Sequence, residues 1–228
     1  MDVDGQSVIF FSCLVVAIIL HEISHGVVAN WFGDDTAKRA GRLTLNPVPH
    51  IDPVGSIVLP AIGALTGAPV IGWAKPVPVN PNRLHNPRTN MFTVGLAGPA
   101  SNLLLATAAI FAARYFLGQL PAVTQQAAHF YAGTNAILSA SELGWGFRIA
   151  YSFAMVNVFL AVFNLIPIPP LDGSAIFELI MPRSWLPHWY RFRPYGLLVL
   201  FAVVFWTGLV GVLLDPFIRT VNELVLGR

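Results

Sequence analysis

Five apolar stretches, residues 7–32, 53–73, 91–117, 147–168 and 194–214, take up most of a chain of 228 residues. An α-helix rises about 1.5 Å per residue, so about 20 residues cover a hydrocarbon core about 30 Å thick. Charged residues make up 11% of the sequence and the mean hydropathy is +0.66, whereas an ordinary soluble domain is roughly 25% charged. Lipid is therefore the expected solvent. So much of the length goes into crossings that we expect a single integral-membrane domain over residues 1–228, with no linker to a second unit. The first stretch lacks the basic flank and small-residue cleavage site of a secretory signal, and Asp2 and Asp4 precede it, so it reads as a retained span. A net charge of +2 with no basic run among aromatics argues against a nucleic-acid partner. The single cysteine, Cys13, allows neither an internal disulfide nor a thiolate metal site and reads as packing.

Four stretches look like ordinary crossings, but residues 53–73 do not. Pro60, Gly63, Gly67 and Pro69 interrupt that run where a straight helix needs good helix formers. A re-entrant or hairpin segment fits better, and residues 41–46 and 73–80 beside it are expected to pair as short strands. Charge placement agrees. Lys38, Arg39 and Arg42 follow the first stretch; Lys75, Arg83 and Arg88 follow the second; Arg183, Arg191 and Arg193 follow the fourth. If residues 53–73 dip and return, all nine lie on one side, which the positive-inside rule makes cytoplasmic. Residues 118–146, assigned to the other side, carry no lysine or arginine. The expected architecture is an all-α polytopic bundle of four to five transmembrane helices, with the irregular segment between the first and second full crossings. Residues 215–228 carry Phe217, Val221, Leu224 and Val225 at helical spacing and read as an interfacial helix. Trp185 and Trp189 read as interface anchors.

Within the first stretch stands His21-Glu22-Ile23-Ser24-His25. Residues four apart share a helix face, so both imidazoles reach one metal ion while Glu22 reaches its water. Ionisable groups in an apolar helix need partners or a wet cavity, and a metal supplies the first. A catalytic zinc usually takes three protein ligands and leaves one position open. Candidates for the third are Asp34, Asp35, His50, Asp52, Glu142, Asp172, Glu178 and the remaining histidines, His85, His129 and His188. His25 lies toward the cytoplasmic end of its helix, and the run over residues 147–168 returns to that same end just before Asp172. Glu142 falls on the opposite side, and Asp34 and Asp35 read as solvated turn residues. Asp172 is therefore chosen, although Asn164–Gly173, with Pro167, Pro169 and Pro170, also fits a helix stop whose aspartate caps the next helix. His50 and Asp52 read as turn residues, and Gly95, Gly98, Ala100 and Ser101 as a close-packing helix face on which Asn102 bonds across helices.

Three motifs in order, His21-Glu22-x-x-His25, Gly98-Pro99-x-x-Asn102 and Asn164-x-x-Pro167-x-x-x-x-Asp172-Gly173, resemble those of the site-2 protease family of intramembrane metalloproteases. The resemblance implies proteolysis of transmembrane protein substrates in the lipid bilayer. It implies one zinc per chain on His21, His25 and Asp172, Glu22 as general base, and Asn164 holding or polarising the scissile carbonyl, with Asn102 at the substrate site. The chain has no room for a PDZ or CBS domain and is similar to compact forms from bacterial or archaeal plasma membranes. Two other readings remain, a metal transporter and an inactive family member acting as a scaffold. The oligomeric state is open.

Overall fold

A computed structural model describes residues 5–58, 62, 65, 72–131 and 143–227. Much of the expected re-entrant segment, and Glu142, lie outside the described residues. The described elements are helical. Three helices are long and apolar enough to cross a membrane: α1 (Gly5–Trp31), α3 (Pro87–Gly118) and α5 (Trp145–Asn164). Between the first two lies a short helix, α2 (Thr36–Arg39), and α4 (Ala122–Tyr131) follows α3. Beyond α5 come α6 (Ser174–Ile180), α7 (Leu186–Phe192), α8 (Gly196–Trp206) and α9 (Leu209–Leu226). The stretch Arg183–Trp206, which ends in α8, makes a fourth span with Leu209–Leu226 (α9) if the two are counted as one broken unit, bent by 69°. The break falls at Gly208, whose φ of +63° only glycine adopts readily, and not at Leu214, where the apolar composition ends.

Small residues set the helix spacing. Ala106, Ala109 and Ala113 of α3 pack against Phe147, Ala150, Ala154 and Val158 of α5, so the two backbones come close. Val221 and Val225 of α9 close the same cluster, which lies where α3 ends and α5 begins. There Asn222 accepts a 2.5 Å hydrogen bond from Tyr151 Oη, and Arg114 donates to the Leu224 carbonyl at 3.1 Å. Ile9, Cys13 and Ala17 of α1 pack on Val156 and Leu160 of α5. Cys13 is thus a packing residue.

At the opposite end α1 runs out where α3 starts, and the His85 amide donates to the Phe32 carbonyl at 3.0 Å. The intervening chain is pinned at its base. Trp73 N–H donates to Gly55 O at 3.2 Å, Ser56 Oγ to Trp73 O at 2.8 Å, and Lys75 N–H to His50 O at 2.9 Å. The two ends of the stretch therefore meet. Residues 72–80 carry no regular secondary structure, the expected pairing with residues 41–46 is absent, and there is no strand among the described residues. Pro76 and Pro78 explain this, because two ladder donors are missing from the segment.

Candidate metal centre

His21 and His25 are four residues apart on α1 and both are buried. Asp172 reaches them from the turn between α5 and α6. That turn is built by its prolines and by a close crossing: Gly173 N–H donates to Asn164 O at 2.6 Å, and a Cβ on Gly173 would lie 2.3 Å from the Leu165 carbonyl oxygen. Asp172 does not act as the helix cap. The N-cap position of α6 is Gly173, with no side-chain cap bond, so the carboxylate is left to face the histidines.

The three side chains meet at one point. His21 Nε2 lies 3.0 Å from Asp172 Oδ2, His25 Nε2 lies 3.3 Å from the same oxygen, and the two Nε2 atoms are 3.1 Å apart. Ligands about 2.0–2.1 Å from a tetrahedral zinc would be about 3.3 Å apart. The spacing fits. Among the described residues this is also the one group of three His, Cys, Asp or Glu side chains close enough to share an ion.

Hydrogen bonding fixes which atoms face inward. Asn157 Nδ2 donates to the Phe153 carbonyl at 2.8 Å, so its Oδ1 is the acceptor for Asn102 Nδ2 at 2.7 Å. Asn102 Oδ1 then faces His21 Nδ1 at 2.5 Å, and that nitrogen must carry the proton. His25 Nδ1 likewise faces the Val94 carbonyl at 2.7 Å. Both Nε2 atoms consequently turn lone pairs toward Asp172 Oδ2, which is buried without a hydrogen-bond partner. Three electron-rich atoms in mutual contact call for a cation. The donor set suits a divalent metal.

Gly98 makes room for this arrangement. A Cβ there would lie 2.4–2.6 Å from His21 Cε1, His25 Nε2 and His21 Nε2. Its place in a small-residue helix face read as packing and its place in the Gly98-Pro99-x-x-Asn102 motif gave it no ligand-side role, which shows only once α3 is docked. Asn157 carried no signal at all, being an asparagine in an apolar helix outside the three motifs.

The other candidate residues make bonds of their own. Glu22 Oε2 accepts a hydrogen bond from the Val77 amide at 2.7 Å. Asn164 Nδ2 donates to Leu160 O of its own helix at 3.0 Å, and its carbonyl accepts from the Gly173 amide, so its bonds shape the turn that presents Asp172. Asp34 is not solvated but fully buried. His50 is buried as well and bonds Thr44 O through Nε2 at 3.0 Å. Asp52 caps a turn, accepting from Val54 and Gly55 amides at 3.0 and 2.7 Å.

Apolar helices long enough to cross a membrane, with two histidines on one of them and an aspartate from a following turn close enough to share an ion, point to the class of membrane metalloproteins. Comparison with known proteins narrows the class. The description "Peptidase family M50" matches residues 9–206, and the chain belongs to that family, the site-2 proteases expected from the motifs. It is 37% identical over 213 residues to "Putative zinc metalloprotease YwhC" of Bacillus subtilis, covering 93% of this chain and 87% of that one. It is also 30% identical over 174 residues to "Putative zinc metalloprotease Rip2" of Mycolicibacterium smegmatis, covering 76% of this chain and 58% of that protein. The Mycobacterium tuberculosis Rip2 is 32% identical over 175 residues. No solved structure matches.

Proposed function

We propose that this chain is an intramembrane zinc metalloprotease that cuts peptide bonds of transmembrane proteins, with His21, His25 and Asp172 as zinc ligands and Glu22 as general base. The observation that carries the reading is the convergence of two imidazole lone pairs and an unpartnered carboxylate oxygen at one point. Zinc in such a set supplies Lewis acidity, lowering the pKa of a bound water toward about 7 and polarising a carbonyl.

The chain's own residues do the rest. Glu22 is next to one ligand and about 100° around the helix from it, the position from which a carboxylate takes a proton from the attacking water and returns it to the leaving amine. Asn102 and the Val94 carbonyl hold the imidazoles in the tautomer that binds metal. Asn164, held against its own helix, is proposed to swing onto the substrate carbonyl. A single-span substrate would have to unwind locally at the site, because helical peptide bonds are shielded by their hydrogen bonds.

Orientation follows from the charges. Nine Lys and Arg residues flank the end where α1 stops, α3 begins and α5 stops, which supports a cytoplasmic site in a cell membrane. Meeting of the chain at Gly55 and Trp73 supports a segment that dips and returns. A metal transporter would need ligands at successive depths, and among the described residues one three-ligand group occurs. Glu22 is not needed to bind zinc but is needed for hydrolysis, so its retention argues against an inactive scaffold. The test is purified protein with a panel of single-span substrates, wild type beside Glu22→Gln. Zinc in both and cleavage only by wild type is expected; equal cleavage removes Glu22 as base, and metal transport without cleavage favours the transporter.

A further inference from the structure

Two buried charges near the site bind no opposite charge of comparable burial among the described residues. Asp34 is fully buried and Arg42 is 6% exposed. Ionised groups removed from water cost several kcal/mol unless compensated, so what they bind is informative. Arg42 Nη2 donates to the Lys75 carbonyl at 2.5 Å and to the Pro76 carbonyl at 3.3 Å. Asp34 Oδ2 accepts from the Asn80 amide at 2.6 Å, while its other oxygen takes the Thr36 amide at 3.1 Å and the Thr36 hydroxyl. Both charges act on the backbone of one short segment, one at each end.

The middle of that segment sits on α1. Val77 is the one buried residue of residues 72–80. Its Cγ1 lies 3.0 Å from where a Cβ on Gly26 would be, and its amide donates to Glu22 Oε2 at 2.7 Å. Gly26 is one turn beyond Glu22 on the same helix face. Val77 therefore touches α1 twice, by its side chain on the glycine and by its N–H on the carboxylate. With prolines at 76 and 78 the segment has no ladder among the described residues to hold it, and its position depends on the contacts at its ends.

We propose that Asp34 and Arg42 are positioning residues for Glu22, fixing the ends of residues 75–80 so that the Val77 amide holds the Glu22 carboxylate in place. The assignment rests on Glu22 being the base. It differs from a general stabilising role in what it leaves alone: the three metal ligands come from α1 and the α5–α6 turn and bond none of these residues. Loss of either clamp should therefore lower turnover without removing zinc. A misplaced catalytic group commonly costs about a hundredfold in rate, and partial release through one clamp about tenfold.

The experiment uses the full chain in detergent or nanodiscs and compares wild type, Arg42→Gln, Asp34→Asn and Arg42→Lys. Zinc per chain, kcat and KM on a single-span substrate, and hydrogen exchange at the Val77 amide are measured. Arg42→Gln and Asp34→Asn should keep one zinc, lose about tenfold or more in kcat with KM within about twofold, and exchange Val77 at least about tenfold faster. Arg42→Lys, which keeps a cation for the carbonyls, should recover most of kcat. Wild-type kcat in both neutralised variants, unchanged Val77 exchange, or zinc lost in step with activity would overturn the proposal. If wild type itself cleaves no substrate, the proteolytic reading fails first, and the exchange at Val77 still decides whether these residues clamp the segment.

Discussion

Replacing Gly98 by alanine adds one methyl group at the most crowded point of the site. That carbon would lie 2.4 Å from His21 Cε1, 2.5 Å from His25 Nε2 and 2.6 Å from His21 Nε2, each about 1 Å inside ordinary carbon contact. Neither ring can yield freely, since His21 Nδ1 is bonded to Asn102 at 2.5 Å and His25 Nδ1 to Val94 O at 2.7 Å. Overpacking of this kind costs about 1–3 kcal/mol. Metal ligation tolerates only about 0.2 Å of displacement, so the cost falls on the metal-bound state. At about 1.4 kcal/mol per tenfold, zinc affinity should fall roughly 5- to 150-fold. Competition with a chromogenic chelator measures this directly. Gly118→Ala, at the far end of the same helix with nothing within 4 Å of its new methyl, is the control and should bind zinc as wild type does. A Gly98→Ala protein with wild-type zinc affinity would refute the geometry argued for the ligand rings.

Asn157→Leu removes the acceptor that orients Asn102, and through it His21; loss of such an outer partner lowers metal affinity about 10- to 100-fold, measurable by the same chelator competition. Arg88→Ala takes away the donor to the Glu178, Leu179 and Met181 carbonyls at the end of α6. It should lower stability by about 1–3 kcal/mol, seen as a reduced unfolding temperature with zinc content unchanged. Burial tends to raise the Asp34 carboxyl, but bonds from Thr36 and Asn80 and the Arg83 charge outweigh it and hold it below its ordinary value of 3.8. A depressed carboxylate stabilises the fold fully above the unfolded pKa and loses that contribution as pH falls through the folded one. The gap in unfolding temperature between wild type and Asp34→Asn should thus be widest near neutrality and shrink below about pH 4; a gap independent of pH would count against an ionised Asp34.

The sequence made the metal centre legible because its parts are local. Two histidines one turn apart share a face in any helix, and the prolines before Asp172 mark where a chain leaves a helix at the right end. What it hid depends on docking between distant segments. Gly98 is an ordinary small residue until α3 lies against α1, and Asn157 is one polar residue in an apolar helix until Asn102 meets it. Asp34 read as a solvated turn residue because its neighbours are polar, yet residues 75–80 cover it. The strand pairing expected for residues 73–80 failed on Pro76 and Pro78, whose missing amides outweigh the extended tendency of Val77 and Val79. For α8 and α9, apolar composition ran straight through a break that one left-handed glycine imposes.

X-ray absorption at the zinc edge of the purified protein tests the central claim most directly. The account predicts one zinc per chain with two imidazole nitrogens at about 2.0–2.1 Å and oxygen as the remaining ligands, and loss of one imidazole contribution in His21→Ala. A site with sulfur, with a single imidazole, or unchanged in His21→Ala would contradict it.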